Sequence, residues 1–244
     1  MSTESTIIIQ ARRALANGSD IDLQLPKYLK GIKFVFNDGI TAKDADEWFS
    51  QCLNRNIKDI KISSALTVEH HPFEGTNETY DIICVWDNNK TSHFIRNEHR
   101  EDREFVYTYK EEVCEECVDD LVSVVDNTTE YKDVLSELMI FAKKIGYEAF
   151  NSFFDTAYKL LDGSLNLSTE NIPYYLVGMP TRLINIIGAI DNSYVFGGMG
   201  WWNDDPRGKA EIMGLKDEYD RLTNALIYNM RKALVYVTNT CFMK

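Results

Sequence analysis

The spacing of the apolar residues changes once along this chain, near Lys110, and that change limits the folds open to it. Before it come short β-branched and aromatic runs: residues 32–36, Ile60 with Ile62, residues 80–86, and Phe105, Tyr107 and Tyr109 in alternation. Residues two apart share one face of a strand, so these runs predict strands. Beyond it, apolar residues recur three and four apart. Tyr131, Val134, Leu135, Leu138, Ala142 and Ile145 form one stripe, and Phe150, Phe153, Phe154, Ala157, Tyr158 and Leu161 a second. Leu215, Tyr219, Leu222, Leu226, Met230, Ala233 and Val237 form a third, on a long final helix. Strands first and helices second predict an α+β protein, with an antiparallel sheet in the N-terminal part and the helical C-terminal part packed on it. The division gives a strand-rich part over 1–110 and a helical part over 111–244. No Gly/Ser- or Pro-rich linker separates them, so one domain over 1–244 is equally compatible.

Local signals place the elements. Ile7, Ile8 and Ile9 open either a short strand or a helix that runs through Ala16 and stops at Asn17-Gly18. Asn37-Asp38-Gly39 is a turn. Thr41 followed three residues later by Asp44 resembles a capping box, which predicts a helix from there with Ala45, Trp48, Phe49, Cys52 and Leu53 on one face. Residues 57–68 read as one or two strands. Residues 87–90 turn the chain from 80–86 back into 91–95, a hairpin. Residues 96–104 are charged and predict a loop. Residues 111–125 are acidic, with Val113, Cys117, Leu121 and Val124 at helical spacing, and Asn127 with Glu130 is a second cap-like start. Pro180 is placed as a first helical residue.

Charge narrows the classes of partner. The formal net charge is −12. Phosphate neutralisation needs clustered Lys and Arg, so nucleic acid is not the expected partner, whereas a basic protein is compatible. No apolar run reaches the length of a membrane span, and the start of the chain lacks the pattern of a secretory signal. The expected setting is therefore cytoplasmic, with no membrane partner. Cys52, Cys84, Cys114, Cys117 and Cys241 are odd in number and scattered, which fits a reducing compartment rather than a disulfide framework.

The candidate chemistry is thin. Cys114 and Cys117 have the spacing of a zinc or redox pair, but no second pair accompanies them, and the acidic neighbours would hold the thiols protonated. His70, His71, His93 and His99 are all the histidines of the chain, with Glu69 and Glu74 nearby. Adjacent histidines on a strand point to opposite faces, so His70 and His71 do not ligate one ion together. No phosphate loop and no nucleophile elbow occurs. The reading carries no catalytic residue, no metal site and no cofactor.

One stretch has an unusual composition: Tyr194 to Gly208, between two helical segments. Its binding candidates are Gly197, Gly198, Met199, Gly200, Trp201, Trp202, Asn203, Asp204, Asp205 and Arg207. Glycines allow positive φ or close backbone approach, and tryptophans bring large apolar area with one N–H to satisfy. In an extended chain the two tryptophans point oppositely, one to core and one to surface; alternatively both pack beneath the final helices. Asp204 and Asp205 serve either as a helix-start device or as paired acids.

Val195-Phe196-Gly197-Gly198-Met199-Gly200-Trp201-Trp202-Asn203-Asp204 resembles a segment near the C-terminus of uncharacterised small bacterial proteins. Those end with Gly-Gly-Met-Gly, a Trp-Asn-Asp and one closing helix, and some are of the immunity or interaction type found beside toxins. The resemblance covers about the last fifth of the chain and brings no chemistry with it. It departs at Trp201, where a small residue such as Ser is expected, and at Asp205-Pro206, which extends the turn.

The expectation is a non-catalytic, immunity- or adaptor-like acidic protein of bacterial type. Its acidic surface over 111–120 and its aromatic loop would meet a basic partner, with Trp201 or Trp202 as anchor. An enzyme without a portable motif is the alternative, for example a hydrolase using Asp204, Asp205 and a histidine, with or without a metal. A small-ligand or carbohydrate binder stacking on the tryptophans is the third. A homodimer through the final helix fits all three.

Overall fold

The computed structural model describes residues 1–64, 80–88, 90–101, 104–114, 125–168, 170, 172–197 and 199–242. Among them the chain forms α1 (Thr3–Asn17), β1 (Leu29–Val35), β2 (Thr41–Ala42), α2 (Ala45–Asn54), β3 (Ile57–Ser64), β4 (Tyr80–Trp86), β5 (Thr91–Glu101) and β6 (Glu104–Cys114). Then come α3 (Thr128–Lys144), α4 (Asn151–Asp162), α5 (Thr181–Ser193), α6 (Asp205–Ile212) and α7 (Lys216–Thr240). The class is α+β, with a mixed sheet in the N-terminal part and helices in the C-terminal part. Two compact units result. The sheet unit takes the described residues within 2–65, 78–124 and 238–244; the helical unit takes Met1 and those within 125–237.

In the sheet unit the strand order is β2-β1-β6-β5-β4-β3. The run β3 to β6 is an antiparallel meander, as alternation and the 87–90 turn predict. One pair makes the sheet mixed: β6 lies parallel to β1, with Ile32 opposite Tyr107 and Phe34 opposite Tyr109. A parallel neighbour requires a long crossover, and no local pattern announces which strand the chain returns to.

Two corrections concern charge. Residues 96–101 are strand rather than loop, paired from Arg96 opposite Tyr109 to Glu101 opposite Glu104. Residues 97–101 are exposed, so a charged sequence is compatible with a ladder whose side chains stand in water. Residues 111–114 finish β6 and are not helical; Cys117, Leu121 and Val124 lie outside the described residues. Glu111 faces inward, where its carboxylate accepts from Ser92 Oγ at 2.7 Å and Asn37 N at 3.0 Å.

Helices α1 and α2 cover one face of this sheet. Ser2 Oγ accepts from Ser5 N at 3.1 Å to start α1, and Gly18 at φ 73° ends it, which resolves the strand-or-helix choice at Ile7–Ile9. Helix α2 starts at Asp44 and not at Thr41, which β2 takes. Asp44 Oδ1 accepts from Glu47 N at 2.8 Å while Glu47 Oε2 accepts from Lys43 N at 2.8 Å, a capping arrangement three residues later than expected that reaches back to the residue before the cap. Trp48 stacks on Phe34 at 4.8 Å, and Phe34 on Tyr109 at 4.9 Å, with Phe94 edge-on. Leu53, expected on this face, is exposed.

Strand β3 ends the sheet, and its outer backbone groups need partners. Asn239 supplies two: its Oδ1 accepts from Ile62 N at 2.8 Å and its Nδ2 donates to Ile62 O at 3.0 Å. Arg12 supplies another, donating to Ile60 O at 3.0 Å, to Asp59 Oδ1 at 2.7 Å and to Cys241 O at 2.9 Å. The side-chain amide thus stands where a further strand would pair, a means of closing an edge. Asn239→Ala leaves a buried N–H and C=O unmet, so it should cost about 2 kcal/mol and promote self-association. Urea melts with sedimentation velocity check both; a monomer of wild-type stability would refute the assignment.

In the helical unit the predicted stripes are buried at Tyr131, Leu135, Leu138, Ala142 and Ile145, at Phe154 and Ala157, and at Tyr219, Leu222, Leu226, Met230, Ala233 and Val237. Two caps differ from expectation. Asn127 sits at the start of α3 but turns inward, its Nδ2 donating to Asn229 Oδ1 at 2.8 Å, and Asp126 takes Thr128 N instead at 2.9 Å. Pro180 precedes α5 as its cap rather than opening it.

Buried phenols give both units a pH dependence. Burial pushes Tyr109, Tyr131 and Tyr219 above the usual tyrosine value of 10.0. The folded chain keeps protons that the unfolded chain releases at pH ~10, so this stabilisation is complete below that pH and falls as pH climbs through the folded values. Burial likewise pushes the Cys241 thiol up to about 12 from 9.0. Stability should drop by about 1.4 kcal/mol per pH unit for each group once its unfolded form ionises. Urea midpoints at pH ~9 and ~11 test this, and Tyr131→Phe should flatten the decline; unchanged midpoints would contradict it.

Candidate functional site

The loop between α5 and α6 is held from inside. Val195 is fully buried, and its carbonyl accepts from Trp202 N at 3.1 Å, which ties the two ends of the loop together. Asn203 spans the neck: Gly197 N donates to its Oδ1 at 2.9 Å, and its Nδ2 donates to Gly197 O at 3.0 Å. Asp204 Oδ2 accepts from Gly200 N at 2.9 Å, and Gly200 stands at φ 81°, which a side chain would strain. Both polar residues therefore brace the loop. The sequence offered Asn203 as a contact residue and Asp204 as a contact, helix-start or paired-acid residue.

The two tryptophans part company. Trp202 has no exposed surface. Its ring stacks on Tyr219 at 5.6 Å and meets Phe150 and Phe154 edge-on, each at 5.3 Å. Its Nε1–H donates to Thr223 Oγ1 at 3.0 Å, and its carbonyl accepts from Tyr219 O–H at 2.8 Å. The reading with both tryptophans packed away is thereby corrected, since Trp201 is 41% exposed. The Trp201 ring lies on Gly197, where a Cβ would come within 2.8 Å of Cδ1, so only glycine admits this pose. Its far side approaches Phe153, ring centres 6.4 Å apart, and Phe153 is itself partly exposed.

Met199 at the tip is 96% exposed. Asp205 is the exposed first residue of α6, and Arg207 is half-buried in that helix, its charge opposing the upward shift of Tyr219 that burial causes. Gly198 lies outside the described residues. Phe153 was missed as a site residue because it fell within a helical apolar stripe. Its outward position on α4 is set by which neighbour, Phe154, takes the core.

His93 and His99 are on β5 in the sheet unit, His93 with Nδ1 3.9 Å from Asp81 Oδ2, and His99 exposed beside Glu101 at 3.2 Å. His70, His71, Cys117 and the acidic stretch 115–120 lie outside the described residues. Among the described residues no group of three or more His, Cys, Asp or Glu is arranged to hold a metal ion. No helix among them is long and apolar enough to cross a membrane.

Scans against family models, curated proteins and solved structures found no match to this chain.

Proposed function

We propose that the protein acts by binding another protein, without catalysis, as an immunity- or adaptor-like partner of bacterial type. The observation that carries this reading is the division of labour between the adjacent tryptophans. Trp202 fixes the loop to the helical core, and Trp201 and Met199 stand outside on a loop braced by Asn203 and Asp204. A preorganised loop loses little freedom on binding, and tryptophan is enriched among residues that dominate interface energies. Methionine adapts to an irregular partner surface. Asp204 and Asp205 are exposed beside them, and with a formal charge of −12 they favour a basic partner through steering.

The test is capture of partners on immobilised wild type and on a Met199→Ala/Trp201→Ala variant, at low and moderate salt. Both substitutions fall at the surface, so the variant should keep its stability within about 1 kcal/mol. The expected result is one stoichiometric protein, held less tightly as salt rises and at least about thirtyfold more weakly by the variant. Equal capture by both proteins, or none by either at both salts, would overturn the reading.

A further inference from the structure

The tip of the aromatic loop carries the most exposed methionine among the described residues. Met199 is 96% exposed, against 43% for Met213 and 37% for Met1. Met139 is half-buried, and Met179 and Met230 are 5% and 7% exposed. The thiols of Cys52, Cys84 and Cys241 belong to residues with no exposed surface. Burial pushes the Cys84 and Cys241 thiols above their usual 9.0, so they stand protonated at neutral pH, whereas the thiolate is the reactive form. An oxidant that arrives from solvent meets Met199 ahead of all of these.

The backbone holds the side chain in that position. Gly200 N donates to Asp204 Oδ2 at 2.9 Å, and Asp204 N donates to Trp201 O at 3.0 Å, so the residues after Met199 are tied to the one that precedes α6. On the other side of the tip, Asn203 fastens both backbone groups of Gly197. Other residues make all of these bonds, so a chemical change on the Met199 side chain leaves the bracing in place.

We propose that Met199 is a site of reversible oxidation by hydroperoxides, which turns the tip of the loop from apolar to polar. The thioether sulfur attacks one oxygen of the peroxide, so that an S–O bond forms and the O–O bond breaks. The sulfur gives up an electron pair, the transferred hydroxyl passes its proton to the departing oxygen, and the peroxide leaves reduced to water or an alcohol. A sulfur this open is attacked on either lone pair, so both sulfoxide epimers form. Methionine sulfoxide reductases, one class for each epimer, reverse the step: thiols are oxidised to a disulfide and the oxygen leaves as water. The sulfoxide oxygen is a strong acceptor, and taking it out of water against an apolar surface costs free energy. Oxidation therefore weakens what the tip binds; that consequence rests on the protein-binding reading of the loop, and the oxidation itself does not.

Limiting hydrogen peroxide on the full chain, followed by peptide mapping that reads each methionine and cysteine separately, tests the site. Among the described methionines Met199 should gain oxygen first, ahead of Met213, Met1 and Met139, with Met179 and Met230 at least about tenfold slower. The chain oxidised there should leave a phenyl column earlier than the untreated chain and keep its urea midpoint. Treatment with reductases of both classes should restore its retention, and Met199→Leu should show no such change with peroxide. A partner captured in the loop test should be held about tenfold more weakly by the oxidised chain. Met213 or Met139 oxidised as fast as Met199, a retention unmoved by its sulfoxide, or a urea midpoint lowered by it would each overturn the assignment. A partner held equally well would overturn the effect on binding alone, and a loop that captures nothing removes the protein-binding reading while the oxidation map still decides this one.

Discussion

Trp202→Ala will destabilise the helical unit by about 4 kcal/mol, within the range for deleting a fully buried aromatic side chain. The size follows from what the ring does. A buried tryptophan removes roughly 200 Å² from water, and here the ring lies among Tyr219, Phe150, Phe154 and Phe141 with no exposed surface. Its removal also strands Thr223 Oγ1, itself fully buried, without the Nε1–H it accepts. Trp202→Phe keeps most of the ring and loses that hydrogen bond, so it should cost about 2 kcal/mol. Trp201→Ala should stay within about 1 kcal/mol of wild type, because that ring is part-exposed and touches one aromatic neighbour. Urea denaturation followed by far-UV circular dichroism measures all three. Equal losses at 201 and 202 would mean that the loop is not divided between core and surface as described.

This contrast shows where the sequence stopped informing. An extended chain would send neighbouring tryptophans to opposite sides; the chain turns at 199–204 instead, and still only Trp202 is buried. The local sequence cannot say which one is inside, because the residues that decide it, Tyr219 and Thr223, lie 17 and 21 positions further on. Strand β4 and the stripe of α7 were legible for the opposite reason: each is a local pattern that one face of packing satisfies. Asn203 and Asp204 were misjudged because a side chain that replaces a backbone partner leaves no periodic trace. The parallel neighbour of β1 was hidden in the same way, since pairing follows from the route of the chain and not from the composition of either strand. Charge was the least reliable guide: the same Arg, Glu and His residues over 96–101 are compatible with a loop or with a solvated ladder, and the hydrogen-bond register alone separates the two. The Glu4 carboxylate was invisible for that reason too, one acid among many in the sequence and fully buried in the fold.

Breaking the ion pair at Glu4 should be the second large effect, about 3 kcal/mol for Glu4→Gln in the sheet unit. Glu4 is in the first turn of α1, where the helix dipole favours a negative charge. Its Oε1 accepts from Arg96 at 3.0 Å and from Tyr109 O–H at 2.8 Å, and Arg96 lies over the Tyr107 ring at 4.7 Å. Its Oε2 has no hydrogen-bond partner among the described residues. Burial works most strongly against the Arg96 charge, and Glu4 together with Tyr109, Tyr107 and Glu98 outweighs it, holding the guanidinium above its usual range. Burial also raises the Tyr109 phenol, and Glu4 adds to that rise, so the hydroxyl remains a donor through neutral pH. Neutralising Glu4 takes the 3.0 Å carboxylate from a mostly buried guanidinium, whose contact with Glu98 is longer, at 4.0 Å. Removing both charges is a different case, because two apolar residues of similar volume have no desolvation to recover. Glu4→Leu/Arg96→Met should therefore regain most of the loss shown by Glu4→Gln, and a double-mutant cycle should return a strong coupling between positions 4 and 96. A Glu4→Gln loss below about 1 kcal/mol, with no coupling to Arg96, would place this carboxylate in water rather than beneath the helix.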